Sequence, residues 1–88
     1  MNYNWDKDKN IRLIKERWIS FENVLFEISS WNLLSIINHP NQNKYPNQKI
    51  FIINHLNYIY LVPFVEDKKW IFLKTIIPSR KFTKYYLI

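Results

Sequence analysis

The sequence contains no glycine among its 88 residues, and this absence argues against whole classes of function. Glycine-rich loops that hold a phosphate, such as the Walker A loop or the dinucleotide fingerprint, need residues without a side chain. The sequence therefore argues against a nucleotide-cofactor enzyme and predicts no cofactor. Each backbone position that needs a positive φ must use another residue, and asparagine is the cheapest substitute.

Cysteine is also absent, so the chain has no disulfide, no thiolate metal ligand and no thiolate nucleophile. This composition fits a reducing compartment. No apolar run approaches the ~20 residues that span a bilayer, and residues 1–6 lack the apolar segment of a secretory signal. We expect one domain over residues 1–88, located in the cytoplasm and without a membrane partner.

Acidic residues are missing from the last part of the chain, which makes the net charge of +6 a local feature. Residues 1–30 contain five basic and five acidic side chains, and residues 31–67 contain two of each. Residues 68–88 contain six basic side chains and no acidic one: Lys68, Lys69, Lys74, Arg80, Lys81 and Lys84. Basic groups interleaved with aromatic rings suit a polyanion with bases that stack. The alternative is a solvated basic face that only keeps the protein soluble.

The hydrophobic pattern predicts a strand and two helices in the first third of the chain. Residues 2–5 can form a strand, and Asp6 and Ser20 are good N-caps for the two helices. The helices are predicted over residues 7–17 and 21–31, with Asn32 as a left-handed stop.

The remaining pattern predicts four strands and a short terminal helix. The strands are predicted over residues 33–37, 49–53, 58–65 and 70–77. Pro63 predicts a bulge or an edge, and Ser79 is a possible N-cap for the last helix. Helices followed by strands indicate an α+β fold, with two N-terminal helices packed on a mainly antiparallel twisted sheet and a short C-terminal helix.

Several strings of residues resemble, in their order along the chain, the BrnT family of bacterial toxins from type II toxin–antitoxin operons. The strings are Tyr3-Asn4-Trp5-Asp6, Ile19-Ser20-Phe21-Glu22, His39-Pro40-Asn41, Lys44-Tyr45-Pro46-Asn47-Gln48, Tyr60-Leu61-Val62-Pro63-Phe64-Val65-Glu66 and Lys74-Thr75-Ile76-Ile77-Pro78-Ser79-Arg80-Lys81. Together they cover most of the chain, and the chain length also matches.

The resemblance implies a RelE-like fold and a small endoribonuclease that cleaves mRNA, free or on the ribosome, and stops translation. It also implies a cognate antitoxin of the ribbon–helix–helix or CopG-like type, through which alone operator DNA would be bound. The chain departs from the family at Trp18, where a glycine is usual between the two helices. A left-handed conformation is costly for tryptophan, so we expect either a rebuilt turn or an indole that fills a hydrophobic site.

Metal-independent RNA cleavage needs a base for the 2′-OH, cations for the phosphate and an acid for the leaving 5′ oxygen. His39, in a polar loop, is a candidate base or acid because its ordinary pKa lies near ~6.5. Arg80 can grip a phosphate with two hydrogen bonds, as a lysine cannot. Lys74 is the third candidate, and alternation predicts that it shares a strand face with Trp70, Phe72 and Ile76.

Each candidate has a structural alternative. His39 could pack against Pro40 and hold the loop, and Lys74 could lie at the edge of the core. Arg80 could instead form a salt bridge to Asp6, Glu22 or Glu27. His55 is predicted at a hairpin tip in solvent. Because the two histidines are sixteen residues apart and have no neighbouring carboxylate, no metal site is predicted.

The predicted RNA contacts lie in the polar loop and in the C-terminal segment. They are Lys44, Tyr45, Lys49, Lys81, Lys84 and Tyr85. The tyrosines could stack on bases or only pack against neighbouring side chains. An acidic amphipathic antitoxin segment is expected to cover the basic surface, where Trp70, Phe72 and Tyr85 offer apolar anchors ringed by cations.

Two other functions remain open. One is a non-catalytic member of the same fold that binds nucleic acid or a partner, for example as the antitoxin's co-repressor. The other is a phage or plasmid protein that only binds another protein and has no affinity for RNA.

Overall fold

The structure, a computed structural model, describes residues 2–88. A strand precedes the two helices, as predicted, but five strands instead of the predicted four follow them before the last helix. The elements are β1 (Asn2–Trp5), α1 (Lys7–Arg17), α2 (Phe21–Ser29), β2 (Leu33–Asn38), β3 (Lys49–His55), β4 (Tyr58–Glu66), β5 (Trp70–Leu73), β6 (Ile77–Pro78) and α3 (Arg80–Leu87). The α+β class is confirmed.

Polar side chains cap the starts of all three helices in residues 2–88, as predicted. Asp6 and Ser79 each accept a hydrogen bond from the amide three residues further along, at 3.0 and 3.1 Å. Ser20 accepts from the Asn23 amide, and the Asn23 side chain accepts from the Ser20 amide. Each cap satisfies an amide that the first helical turn leaves without a carbonyl partner.

The five residues with positive φ in the described chain are Trp18, Trp31, Asn47, Leu56 and Asn57. Asparagine therefore fills two of these positions. Helix α2 ends at Ser29, and the left-handed residue after it is Trp31, so the predictions of a helix to residue 31 and of a stop at Asn32 were wrong. Asn32 is instead held by hydrogen bonds to α2, because its amide and its side chain both donate to Glu27, at 2.9 and 3.0 Å.

The turn between α1 and α2 keeps a left-handed conformation although its residue is tryptophan. Trp18 has φ 59° and ψ 30°, and its amide donates to the Ile14 carbonyl at 3.1 Å. The residue is 87% exposed. Both expectations for Trp18, a rebuilt turn and a filled hydrophobic site, were wrong. The Cβ in this conformation costs roughly 1–2 kcal/mol, and burial of the indole does not offset it.

The strands form one mixed sheet in the order β1-β5-β4-β3-β2. The β1–β5 pair is parallel and the other pairs are antiparallel, so the predicted mainly antiparallel sheet is confirmed. A two-residue turn, Leu56-Asn57, joins β3 to β4 with positive φ at both positions, as a type I′ turn requires.

The last predicted strand, over residues 70–77, is broken, and that prediction was wrong. Strand β5 pairs with residues 64–66 of β4, whereas β6 pairs with residues 60 and 61. Pro63 lies at the gap. Its carbonyl accepts from the Lys74 amide at 2.8 Å. Its nitrogen carries no hydrogen, so it cannot donate a backbone hydrogen bond to the same neighbouring segment. The irregularity predicted at Pro63 is therefore an interrupted pairing.

Helices α1 and α2 cover one face of the sheet and enclose the main core. The buried cluster contains Leu13, Ile19, Phe21 and Val24 from the helical part, and Phe51, Ile53, Val62, Phe64, Ile71, Leu73 and Ile76 from the sheet and the segment after it. Asn10 ties the two helices together: its side-chain oxygen accepts from the Phe21 amide at 2.8 Å, and its nitrogen donates to Glu22 at 2.7 Å.

The opposite face of the sheet carries a second set of buried side chains. By alternation, Ile50, Ile52 and Ile59 point away from α1 and α2, and they are 5%, 1% and 0% exposed. Helix α3 packs beside β4. None of the helices in residues 2–88 has the length and apolar character needed to cross a membrane.

Candidate nucleic-acid interface

Helix α3 carries the densest group of predicted RNA-binding residues. The Ser79 amide donates to the Ile59 carbonyl, and the Ile59 amide donates to the Thr83 hydroxyl, both at 2.9 Å. These bonds fix α3 beside the start of β4. Phe82, Thr83 and Leu87 are partly buried on its inner side. The exposed residues are Arg80, Lys81, Lys84, Tyr85 and Tyr86.

The basic side chains of residues 68–88 have no acidic partner within residues 2–88. The ion pairs in this range are Lys49 with Glu66, at 3.3 Å, and His55 with Glu27, at 2.6 Å. The alternative role for Arg80, a salt bridge to an acidic residue of the helical half, is not found. The charge of the C-terminal segment is therefore available to an external anion.

Lys74 lies in the break between β5 and β6, not in the middle of a strand. Its side chain is exposed, with Nζ 5.4 Å from the centre of the Phe72 ring. The prediction that it shares a face with Phe72 agrees with this contact. The prediction that Lys74 also shares a face with Ile76 was wrong, because the break turns the Ile76 side chain into the core, where it is 0% exposed.

His39 lies in a loop that its own polar groups hold in place. Its amide donates to the Gln48 carbonyl at 2.9 Å, and its Nδ1 accepts from the Asn41 amide at 3.0 Å. The ring lies against Tyr45, with 4.4 Å between ring centres, and Lys44 Nζ is 5.3 Å from the Tyr45 ring. The structure therefore brings three predicted residues together. With Nδ1 occupied as an acceptor, a neutral His39 carries its proton on Nε2 and can donate a hydrogen bond from there.

Lys49 lies next to this loop and forms an ion pair with a carboxylate. Its Nζ is 3.3 Å from Glu66 across the sheet, and both side chains remain partly exposed. A surface ion pair of this kind contributes only about 0–1 kcal/mol. Lys49 can therefore exchange Glu66 for a phosphate at small cost.

The structure does not bring His39 and Arg80 together. The His39 loop continues into Lys49, which pairs with Phe64 near the end of β4, whereas α3 is fixed to Ile59 near its start. Five residues of strand separate these points, which is roughly 17 Å along β4. The two side chains therefore cannot act on the same phosphate in this arrangement, and Lys74 lies between them beside Pro63.

His55, predicted to be solvated at a hairpin tip, is instead part of a half-buried cluster, so that prediction was wrong. Its Nδ1 lies 2.6 Å from a carboxylate oxygen of Glu27, and the two side chains are 13% and 7% exposed. The other carboxylate oxygen of Glu27 accepts from Asn32 at 3.0 Å. Tyr60 lies edge-on to the histidine ring at 6.0 Å. Burial, and secondly the neighbouring Tyr58, raise the pKa of Tyr60 above its ordinary value.

A signal for this cluster was present in α2. From Val24, the next positions on the core-facing side of the helix, i+3 and i+4, are Glu27 and Ile28. A glutamate at a core-facing position predicts a buried polar partner. The sequence does not reveal that the partner is His55, twenty-eight residues away.

The described residues offer few ligands for a metal ion. Residues 2–88 contain no group of three or more histidine, cysteine, aspartate or glutamate side chains that could hold a metal ion.

Comparison of the chain with family models, with curated proteins and with solved structures finds no match.

Proposed function

We propose that this protein is an RNA-binding toxin of the BrnT and RelE-like kind. In this proposal it cleaves mRNA in the cytoplasm as a metal-independent endoribonuclease and is held inactive by a cognate antitoxin. The observation that carries the proposal is the basic segment of residues 68–88, whose cations lack acidic partners in the described chain. Unneutralised cations beside exposed aromatic rings attract the phosphates and bases of single-stranded RNA.

RNA binding is tested by the dependence of affinity on salt. If about four cations contact phosphates, the log–log slope is roughly −3, from ~0.7 per contact for single strands. A double variant, Lys81→Gln with Lys84→Gln, should reduce the slope by about 1.4. The matched control is Lys7→Gln with Lys15→Gln on α1, which should leave the slope unchanged. A wild-type slope near zero would refute the proposal.

Cleavage is tested by mapping RNA 5′ ends after a pulse of expression without an antitoxin gene. The expected products carry a 2′,3′-cyclic phosphate or a 3′-phosphate, and a chelator should not prevent their formation. Arg80→Ala should relieve growth arrest, whereas Arg12→Ala, an exposed arginine on α1, should not. Cleavage that a chelator abolishes and magnesium restores would contradict the mechanism.

One observation favours the second candidate function, a non-catalytic RNA-binding module of the same fold. The predicted catalytic residues His39 and Arg80 lie at opposite ends of β4, so they do not form one site. A purified protein that binds RNA with the expected salt slope but produces no new 5′ ends would establish this alternative.

The proposed antitoxin is a ribbon–helix–helix or CopG-like protein that covers the basic surface. Hydrogen exchange should then show protection at residues 39–49 and 70–86 in the complex. The helical side offers a rival site, an open pocket of about 500 Å³ lined in part by Ile14 and Trp18. Protection confined to residues 6–31 would place the antitoxin there.

A further inference from the structure

The cluster around His55 has the geometry of an oriented histidine. A Glu27 carboxylate can only accept a hydrogen bond, so the 2.6 Å contact requires that Nδ1 of His55 donate. In the neutral imidazole the other nitrogen, Nε2, then holds a free lone pair. This is the tautomer that a general base requires, held by a carboxylate on Nδ1.

The second nitrogen of His55 has no hydrogen-bond partner among the described residues. Within residues 2–88 the only buried side-chain polar atom without a partner is Asn54 Oδ1. His55 Nε2 has no hydrogen-bond partner there either, and it is not fully enclosed, although the side chain as a whole is only 13% exposed. The ring therefore has one nitrogen anchored on Glu27 and one without a protein partner.

The Glu27–His55 pair is also held rigidly. The Glu27 carboxylate accepts from Asn32 through its second oxygen, and its backbone carbonyl accepts from the Asn32 amide. The Asn32 carbonyl in turn accepts from the Asn54 amide at 2.9 Å, which joins the end of α2 to β3. An imidazole fixed in this way loses little freedom when a substrate binds.

The cluster lies at the α3 end of the sheet, unlike His39. His55 pairs with Tyr58, and the next residue, Ile59, is bonded to Ser79 just before Arg80. The backbone of Arg80 is thus about two strand spacings from that of His55, roughly 10 Å.

We infer that His55 is the general base of this protein, with Glu27 as its positioning residue and Arg80 as its phosphate contact. The inference rests on the proposed endoribonuclease function. Nε2 takes the proton of the ribose 2′-OH, and the 2′ oxygen attacks the adjacent phosphorus. The bond from phosphorus to the 5′ oxygen breaks, and that oxygen takes a proton from water. The products are a 2′,3′-cyclic phosphate and a 5′-hydroxyl, and the proton on His55 returns to the solvent.

The test is RNA cleavage by the purified protein with His55→Asn. The asparagine amide can still donate to Glu27, so the fold is retained, but it has no group at the position of Nε2. We expect kcat to fall about 100-fold or more, with KM and RNA affinity unchanged. Added imidazole should raise the rate of His55→Ala, which a purely structural role would not allow. The exposed neighbour variant Leu56→Ala controls for disturbance of the hairpin turn and should cleave normally.

Glu27→Gln should lower kcat by roughly 10-fold or more while leaving KM unchanged, because the imidazolium formed in the reaction loses its counter-charge. A wild-type kcat in His55→Asn would overturn the inference, and loss of cleavage in His39→Asn alone would place the base in the other loop. If the wild-type protein binds RNA but does not cleave it, the proposed function fails and this assignment fails with it.

Discussion

Replacing Trp18 with glycine should stabilise this protein, although the substitution removes the whole tryptophan side chain. Trp18 holds φ 59° at the end of α1 and is 87% exposed, so the indole contributes little burial. A residue with a Cβ pays roughly 1–2 kcal/mol in this conformation. Glycine avoids that cost but loses more entropy on folding, by roughly 0.5–1 kcal/mol. The expected net gain is about 0.5–1 kcal/mol, or several degrees in Tm, at about 4–8 °C per kcal/mol for a domain of this size.

The matched control is Trp18→Ala, which removes the indole but keeps the Cβ. Its stability should lie within about 0.5 kcal/mol of wild type, as for most surface substitutions. Urea unfolding followed by circular dichroism measures all three proteins without relying on tryptophan fluorescence. If Trp18→Gly is no more stable than Trp18→Ala, the left-handed turn is not the source of strain and the reasoning is refuted.

Three other substitutions test separate parts of the fold. Leu56→Asn, in the two-residue turn, should raise the free energy of unfolding by about 0.5 kcal/mol because asparagine tolerates the left-handed region; a loss of stability would contradict the turn geometry. Asn10→Ala should lower the free energy of unfolding by about 1–3 kcal/mol, because the buried Phe21 amide loses its acceptor. An unchanged urea midpoint would show that this hydrogen bond is not needed. The Lys69 and Trp70 amides donate to Asp67 and hold the pKa of its carboxyl below the ordinary value. The carboxylate therefore contributes stability that is present above the ordinary pKa and is lost as the pH falls through the lowered one. Asp67→Asn should remove this part of the acid dependence in thermal melts between about pH 7 and 2, and identical profiles for the two proteins would count against it.

The parts of the fold that local signals control could be predicted from the sequence. Asp6, Ser20 and Ser79 cap helices because their oxygens reach amides only three residues away. The order of elements and the antiparallel meander from β2 to β5 follow from hydrophobic runs separated by short turns.

The parts that depend on distant contacts could not be predicted. The break after Leu73 arises from Pro63 in the neighbouring strand, and the sequence does not show that the two will be adjacent. His55 looks solvated in its own hairpin, since its partner Glu27 lies on a helix formed much earlier in the chain. The separation of His39 from Arg80 is likewise a result of strand register, which residue chemistry alone does not give.

The parallel pairing of β1 with β5 determines how long the first strand of a newly synthesised chain remains unpaired. Asn2 pairs with Trp70 and Trp5 with Leu73, so each partner is synthesised sixty-eight residues later. At about 5–20 residues per second, this interval lasts roughly 3–14 s. Helices α1 and α2 and the β3–β4 hairpin can form meanwhile, because their contacts are local. Residues 2–5 therefore wait longer for their partner than any other strand of residues 2–88, and a molecule that captures them during translation would act on folding rather than on the finished surface.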